Sequence, residues 1–245
     1  LAEATSLTKR RCCIVDHLNE FKRRGKDSGM ELNNITAELT GIIIGDGCLY
    51  GNFNSYCTMI TGHPDDDKEF YEILRKNINS IIGRDPRIKI HQRALRLIVT
   101  DKKFFNFFVE DLGMKYDGDK CHNVTIPEVI LKNKELAISC IRGIFDTDGS
   151  VFTSKKAGSP KYPCIELTTV SKNLARQVYN FLKENGYRVN TIRERDRRPV
   201  GGMAYVIVIN GWNMLKKWYL EIGFTNPVKK RKAKNILIEK FGSVE

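Results

Sequence analysis

The sequence predicts an α+β chain of two similar halves, each αββαββα in outline, and three observations carry that prediction. Leu39-Thr-Gly-Ile-Ile-Ile-Gly-Asp-Gly47 is echoed by Ile141-Arg-Gly-Ile-Phe-Asp-Thr-Asp-Gly149, which sets Asp46 and Asp148 102 positions apart. Later landmarks recur at similar offsets: Ile81-Ile82-Gly83 and Glu184-Asn185-Gly186 are 103 apart, Asp111-Leu-Gly-Met114 and Glu221-Ile-Gly-Phe224 are 110 apart. Helical and strand periods also alternate in the same order twice. Such drift fits one duplicated unit with unequal loops, and two copies are too few for a solenoid.

In chain order, residues 1–34 form an N-terminal helical extension, with Leu7, Ile14, Leu18 and Phe21 at three-to-four spacing and Gly25 as its stop. The first half spans 35–133: a helix at 35–46, a hairpin at 48–62, a helix at 66–81, a second hairpin at 87–100 and a helix at 102–112. The second half spans 134–245: a helix at 134–147, strands at 150–154 and 162–170, a helix at 172–185, strands at 189–197 and 203–210, and a helix at 212–222. Gly47 and Gly149 are expected to supply a left-handed turn at the exit of each motif helix.

Composition narrows the function. The 245 residues hold 41 Lys and Arg against 29 Asp and Glu, a net charge of +12, so a polyanion is the default partner. Charge alone does not choose among DNA, RNA and an acidic membrane surface. The longest purely aliphatic run is Ile42-Ile43-Ile44, far short of the roughly 18 residues of a membrane helix, and no secretory signal opens the chain, so an intracellular protein is expected, whether cytoplasmic, at the nucleoid or in a eukaryotic organelle. Seven cysteines without C-x-x-C spacing and four scattered histidines predict neither a disulfide framework nor a zinc site.

The repeated Asp-Gly is the informative motif. Gly41 and Gly45 lie at i and i+4 on the first helix, as Gly143 and Thr147 do on the second, and small residues at that spacing let two backbones approach closely. Packed in parallel, the helices would bring Asp46 and Asp148 together at their C-terminal ends. Two carboxylates there face the negative ends of two helix dipoles and each other, and a divalent cation with hard oxygen ligands relieves both penalties.

These paired segments resemble the motifs of the LAGLIDADG homing endonucleases in their single-chain, two-motif form. The resemblance covers residues from about 35 to 241 and includes the Ile126-Pro-Glu-Val-Ile130 stretch before the second motif. It implies a DNA-binding saddle: two antiparallel sheets over the major groove, with the motif helices as a central pair. It also implies a monomer making a double-strand break in a long DNA target, with short 3′ overhangs. The cofactor implied is Mg²⁺, as two or three ions, with Mn²⁺ as a substitute and Ca²⁺ allowing binding without cleavage. The metal residues it assigns are Asp46 and Asp148, with Gly45 and Thr147 before them. Asp146 is read as structural. Lys120 and Lys230, seven residues after Gly113 and Gly223, are the expected basic catalytic groups, and His63 and Lys172 are polar candidates near the site. Related folds also act as splicing maturases binding RNA or as non-cutting DNA-binding regulators, and retention of both acids favours the nuclease.

Strand alternation gives the expected DNA surface, since residues i, i+2 and i+4 share one face. Arg87, Lys89, His91 and Arg93 alternate with Ile88 and Ile90, while Arg193, Arg195 and Arg197 repeat the pattern with Ile192 opposite. Further hairpin candidates are Asn52, Asn54, Tyr56, Gln92, Lys155, Lys156 and Lys161, the last three on a Ser/Lys/Gly/Pro-rich loop read as flexible until bound.

Overall fold

A computed structural model describes residues 28–52, 55–116, 120–156, 158–199 and 202–243. The expected helical extension therefore lies almost wholly outside the described residues, as does Asn54. Among the described residues no helix is long and apolar enough to cross a membrane.

The first motif forms helix α1 (Asn34–Gly45). Asn33 opens it with a reciprocal cap: its side chain accepts from the Ile35 and Thr36 amides at 3.0 and 3.1 Å, and Thr36 Oγ1 accepts from the Asn33 amide at 2.8 Å. There follow β1 (Gly47–Asn52), β2 (Ser55–Gly62), α2 (Lys68–Ile82), β3 (Arg87–His91), β4 (Ala94–Val99) and α3 (Lys102–Asn106), which runs on as a π turn through Asp111. Two short helices, α4 (Lys120–Asn123) and α5 (Glu128–Leu131), lead into the second motif helix, α6 (Lys134–Thr147). The second half continues with β5 (Gly149–Lys156), β6 (Ser159–Thr169), α7 (Lys172–Glu184), β7 (Arg193–Asp196), β8 (Met203–Asn210), α8 (Trp212–Glu221) and α9 (Pro227–Phe241).

Each half holds one four-stranded antiparallel sheet, ordered β1-β2-β4-β3 and β5-β6-β8-β7. Partners in register share a face, so one side of each sheet is apolar: Leu49, Ile60, Leu97 and Val99 in the first, Val151, Ile165, Leu167, Ile207 and Ile209 in the second. Both apolar sides join one core around α1 and α6. The other side of each sheet faces away from that core, and in the second sheet it carries a small separate apolar cluster around Val206 and Val208.

Four expectations change. Gly47 and Gly149 are not left-handed; a Cβ on either would press on the backbone of Ile43 or Phe145, so close approach of strand to helix is what requires glycine there. The strand read at 189–197 is shorter: Val189 makes an isolated bridge to Ile209 and only Arg193–Asp196 pair as a strand. Tyr187 and Val189 sink into the core whereas Arg193–Asp196 are exposed, so the segment divides into a buried anchor and a solvated edge. Most of the stretch read as a loop at 155–161 lies in strands, because β5 continues to Lys156 and β6 begins at Ser159. Helix α9 has no counterpart among the expected elements; its apolar stripe is only Ala233, Ile236 and Leu237 among many lysines, so its periodicity is weak, although Asn226 caps it and Pro227 occupies its first turn.

Candidate functional site

The two motif helices cross on glycine. A Cβ on Gly41 would overlap the Cys140 carbonyl oxygen and lie 2.9 Å from the Ile144 nitrogen, while one on Gly143 would overlap the Glu38 carbonyl and lie 2.9 Å from the Ile42 nitrogen. One turn on, a Cβ on Gly45 would overlap the Thr147 hydroxyl and stand 3.3 Å from Asp148 Oδ2. Contacts ascend both helices together, so the pair is parallel and its C-terminal ends coincide. Asp46 and Asp148 are the C-cap residues of α1 and α6, and both are exposed. Lower down, Arg142 Nη1 reaches Glu38 Oε2 at 2.9 Å and Arg142 Nε donates to the Ile222 carbonyl at 2.6 Å, tying α1, α6 and the α8–α9 connection together.

A cleft of about 410 Å³ opens beside these ends, lined by Asp46, His63, Asp66, Asp67, Tyr71, Asp146, Thr147, Ser150, Asn226, Lys229 and Lys232 among others. Asp146, 2% exposed, accepts from the Thr225 and Asn226 amides, each at 3.0 Å, and burial pushes its carboxyl up to about 7. It pins the start of α9 to α6. Lys229 then folds back over the helix end, donating to the carbonyls of Phe145, Asp146 and Thr147 at 2.9, 2.7 and 2.8 Å. It satisfies three of the four carbonyls a helix leaves unpaired at its C-terminus. Burial lowers its ammonium pKa, opposed by the carboxylates of Asp146, Asp46, Asp67 and Asp148.

On the first-half side, Asp67 receives the His63 amide at 2.7 Å and the Asn226 side chain at 3.4 Å. The Tyr71 hydroxyl is buried beside it with no hydrogen-bond partner among the described residues, and burial, then Asp46 and Asp67, hold it in the neutral form.

The structure sorts the sequence candidates. Gly45 lies in the helix contact. The Thr147 carbonyl accepts from Lys229 and its hydroxyl turns back to the Gly143 and Ile144 carbonyls, so it serves the helix end. Lys230 lines a separate cleft with Arg142, Glu221 and Gly223, and it is Lys229 that meets the carboxylates. The side chain of Lys120 lies outside the described residues, as does that of Asn52. His63 stands in the cleft with Nδ1 3.5 Å from Asp66 Oδ2, whereas Lys172 turns to Glu194 and Tyr205 on the core side of the second sheet.

On the open face of the first sheet, the register aligns Arg87 with Ile98, Lys89 with Arg96 and His91 with Ala94. Gln92 and Arg93 are not a continuation of the strand: both have positive φ, 49° and 62°, and form the two-residue hairpin turn that usually selects Asn-Gly. Tyr56 falls on the core side, its ring 5.5 Å from Phe105, because Gly51 is its register partner; Tyr50, 53% exposed, is the tyrosine on the open face. In the second sheet Arg193 and Arg195 lie on the open face and Arg197 follows just past the strand. Lys156 lies over the Tyr162 ring at 4.5 Å, and Lys155 is exposed beside it. Lys161 points the other way, to Glu239 of α9 at 2.8 Å.

The cleft also holds Lys229, Asp67 and Tyr71, which the sequence pattern does not single out. Asp67 and Tyr71 carried a signal, since a strand-ending Gly62-His63 followed by acids just before a helix sets polar groups at the motif end. Lys229 sat unresolved in a run of five basic residues.

Residues 135–223 match the family model described as a LAGLIDADG-like domain. The chain is 24% identical over 170 residues to an uncharacterized protein of Methanocaldococcus jannaschii, and 29% identical over 194 residues to the replication factor C small subunit of Thermococcus kodakarensis. These matches cover 68% and 79% of this chain but only 60% and 20% of the two relatives. The homing endonuclease I-DmoI in complex with DNA and Ca superposes with a TM-score of 0.55 at 23% identity, covering 78% of this chain and 90% of that one. The complex with DNA and Mn gives the same score over 79% and 98%. I-WcaI bound to its DNA recognition sequence gives 0.53 at 14% identity over 90% and 91%. The chain thus has the LAGLIDADG fold. More narrowly, both halves of that fold lie in this one chain, with motif helices ending at Asp46 and Asp148.

Proposed function

We propose that this chain is a monomeric, site-specific endonuclease for double-stranded DNA, with Asp46 and Asp148 as its metal-binding acids. The observation that carries this reading is the parallel, glycine-packed helix pair whose ends bring Asp148 Oδ2 against the residue preceding Asp46, between two sheets that each leave an open face with basic residues.

The donor set fits a hard divalent cation. Among the described residues no three His, Cys, Asp or Glu side chains converge as a self-sufficient metal site. Mg²⁺ is commonly held by one or two carboxylates, with water and substrate phosphate completing its shell, which is what two exposed helix-end acids offer. When bound, such an ion supplies an activated water and stabilises the leaving oxygen. The likeness to I-DmoI structures with Ca and with Mn supports a divalent ion at this site. The protein's own groups do the rest. Lys229 holds the end of α6 rigid, so Asp148 keeps its place when the phosphate arrives. Lys229 and Lys232 offset the charge of the scissile phosphate in a cleft rich in carboxylates. Asp67 and Tyr71 offer an acceptor and a donor for water on the first-half side. Arg87, Lys89, His91 and Arg96 meet phosphates and base edges across the first sheet, and Arg193 and Arg195 meet base edges across the second.

Incubation with a randomised duplex library and Mg²⁺, followed by sequencing of cut ends, tests this. One preferred site with short 3′ overhangs is expected. Selective binding with no cutting would make the protein a non-cutting regulator, and preference for structured RNA would make it a maturase.

A further inference from the structure

The registers of the two sheets align residue by residue. Gly47 pairs with Ile60 as Gly149 pairs with Leu167, and Ala94 pairs with His91 as Ala204 pairs with Arg195. Position by position on the open faces, Lys89 corresponds to Arg193, His91 to Arg195, Arg96 to Val206, and Met59 to Glu166. The first sheet thus gathers cations around a thioether, while the second replaces the central apolar residue with an acid.

That acid is held. Glu166 Oε1 is 3.7 Å from Arg195 Nη2 and Oε2 is 3.9 Å from Arg193 Nη2, with Thr168 Oγ1 at 3.5 Å from Oε1. Its side chain is only 18% exposed, at the centre of the face between Ser150 and Val208. Beside it on the same face lies a small apolar cluster of Cys164, Val206 and Val208 with Phe152 and Tyr162, separate from the main core. A carboxylate on a surface meant for a polyanion lowers affinity for any phosphate backbone, so its presence needs a compensating role.

We propose that Glu166 is a specificity-determining residue: it holds Arg193 and Arg195 off the phosphates and in line with base edges, so that the second sheet reads a G·C-containing part of the target. Arginine forks to guanine O6 and N7, and glutamate accepts from the cytosine amino group, so the triad carries both halves of that code. Neutralising two cations in part also suppresses non-specific binding, which is a gain in selectivity by penalising wrong partners. The inference rests on the DNA-binding reading above.

The test compares wild type with Glu166→Gln, and with Met59→Gln as the matched change in the other half. Each protein is run through duplex-library selection with Ca²⁺ present, and through binding to a non-specific duplex across a salt series. Glu166→Gln is expected to relax preference at G·C positions in one half-site only, by roughly ten-fold or more per position, and to tighten non-specific binding with a steeper salt slope by about 1. Met59→Gln should leave that half-site alone. A Glu166→Gln profile identical to wild type, or a loss spread evenly over both half-sites, would overturn the assignment while leaving DNA binding intact. Failure of the wild type to select any duplex would instead overturn the DNA-binding reading itself.

Discussion

The two halves share a frame and differ in chemistry where they meet the cleft. In the first, Asp67 precedes α2 without capping it and turns to the His63 amide and the Asn226 side chain, and Tyr71 follows four residues later with its hydroxyl buried at the cleft wall. In the second, the equivalent Ser171 caps α7 through the Leu174 amide at 3.2 Å and donates to the Val124 carbonyl at 2.7 Å, and Ala175 stands where Tyr71 does. Ser171 is engaged within its own half, whereas Asp67 lines the cleft. The lesson is that the duplication keeps the helix pair and sheets, where sterics allow few alternatives, and lets the flanking groups diverge, so the two phosphates of a duplex would meet unequal surroundings.

Changes that break the shared frame should do most harm. Gly143→Val forces a side chain into the Glu38 carbonyl, a backbone atom that cannot rotate away, and should lower unfolding free energy by about 3 kcal/mol or more in urea titrations. A melt unchanged from wild type would mean the helices do not touch there. Lys229→Met should follow, at about 2–3 kcal/mol, because three carbonyls at the end of α6 lose their donor. Lys230→Met, on its exposed neighbour, should stay within about 0.5 kcal/mol, and equal losses from both would erase the distinction between the two lysines.

The asymmetry itself is sharpened by strand-resolved nicking of a supercoiled target. Asp67→Asn should slow one strand by about ten-fold, the scale of a single water-positioning contact, and leave the other near wild type. Ser171→Ala should instead cost about 1 kcal/mol of stability through the lost cap, with no strand bias. The smallest effect belongs to Tyr71→Phe, which removes a buried hydroxyl with no partner among the described residues; stability should hold or rise by up to about 1 kcal/mol. A clear loss would reveal a partner in solution.

How much of this was legible in the sequence follows from how local each cause is. The helix pair could be read because Gly41 and Gly143 recur in matching frames and sterics admit little else at that spacing. Strand faces could be read wherever alternation holds, as along Arg87, Lys89 and His91. Alternation fails where the strand runs into a turn, as at Arg93, and polarity is a poor guide to exposure at Tyr56, whose ring packs on Phe105. Lys229 and Lys230 are chemically identical neighbours, and only the docking of α9 by Asp146 decides which of them points into the cleft. Asp146 itself was assigned to structure from its helical position alone, and its two backbone partners give the reason.

The proposed cleavage depends on a single shared centre built from one acid of each motif. Strand-resolved cleavage by Asp46→Asn and Asp148→Asn, alongside their Ca²⁺-supported DNA binding, tests it most directly. Both variants should bind the target near wild-type affinity and lose double-strand cleavage. Wild-type cutting by either variant would contradict it.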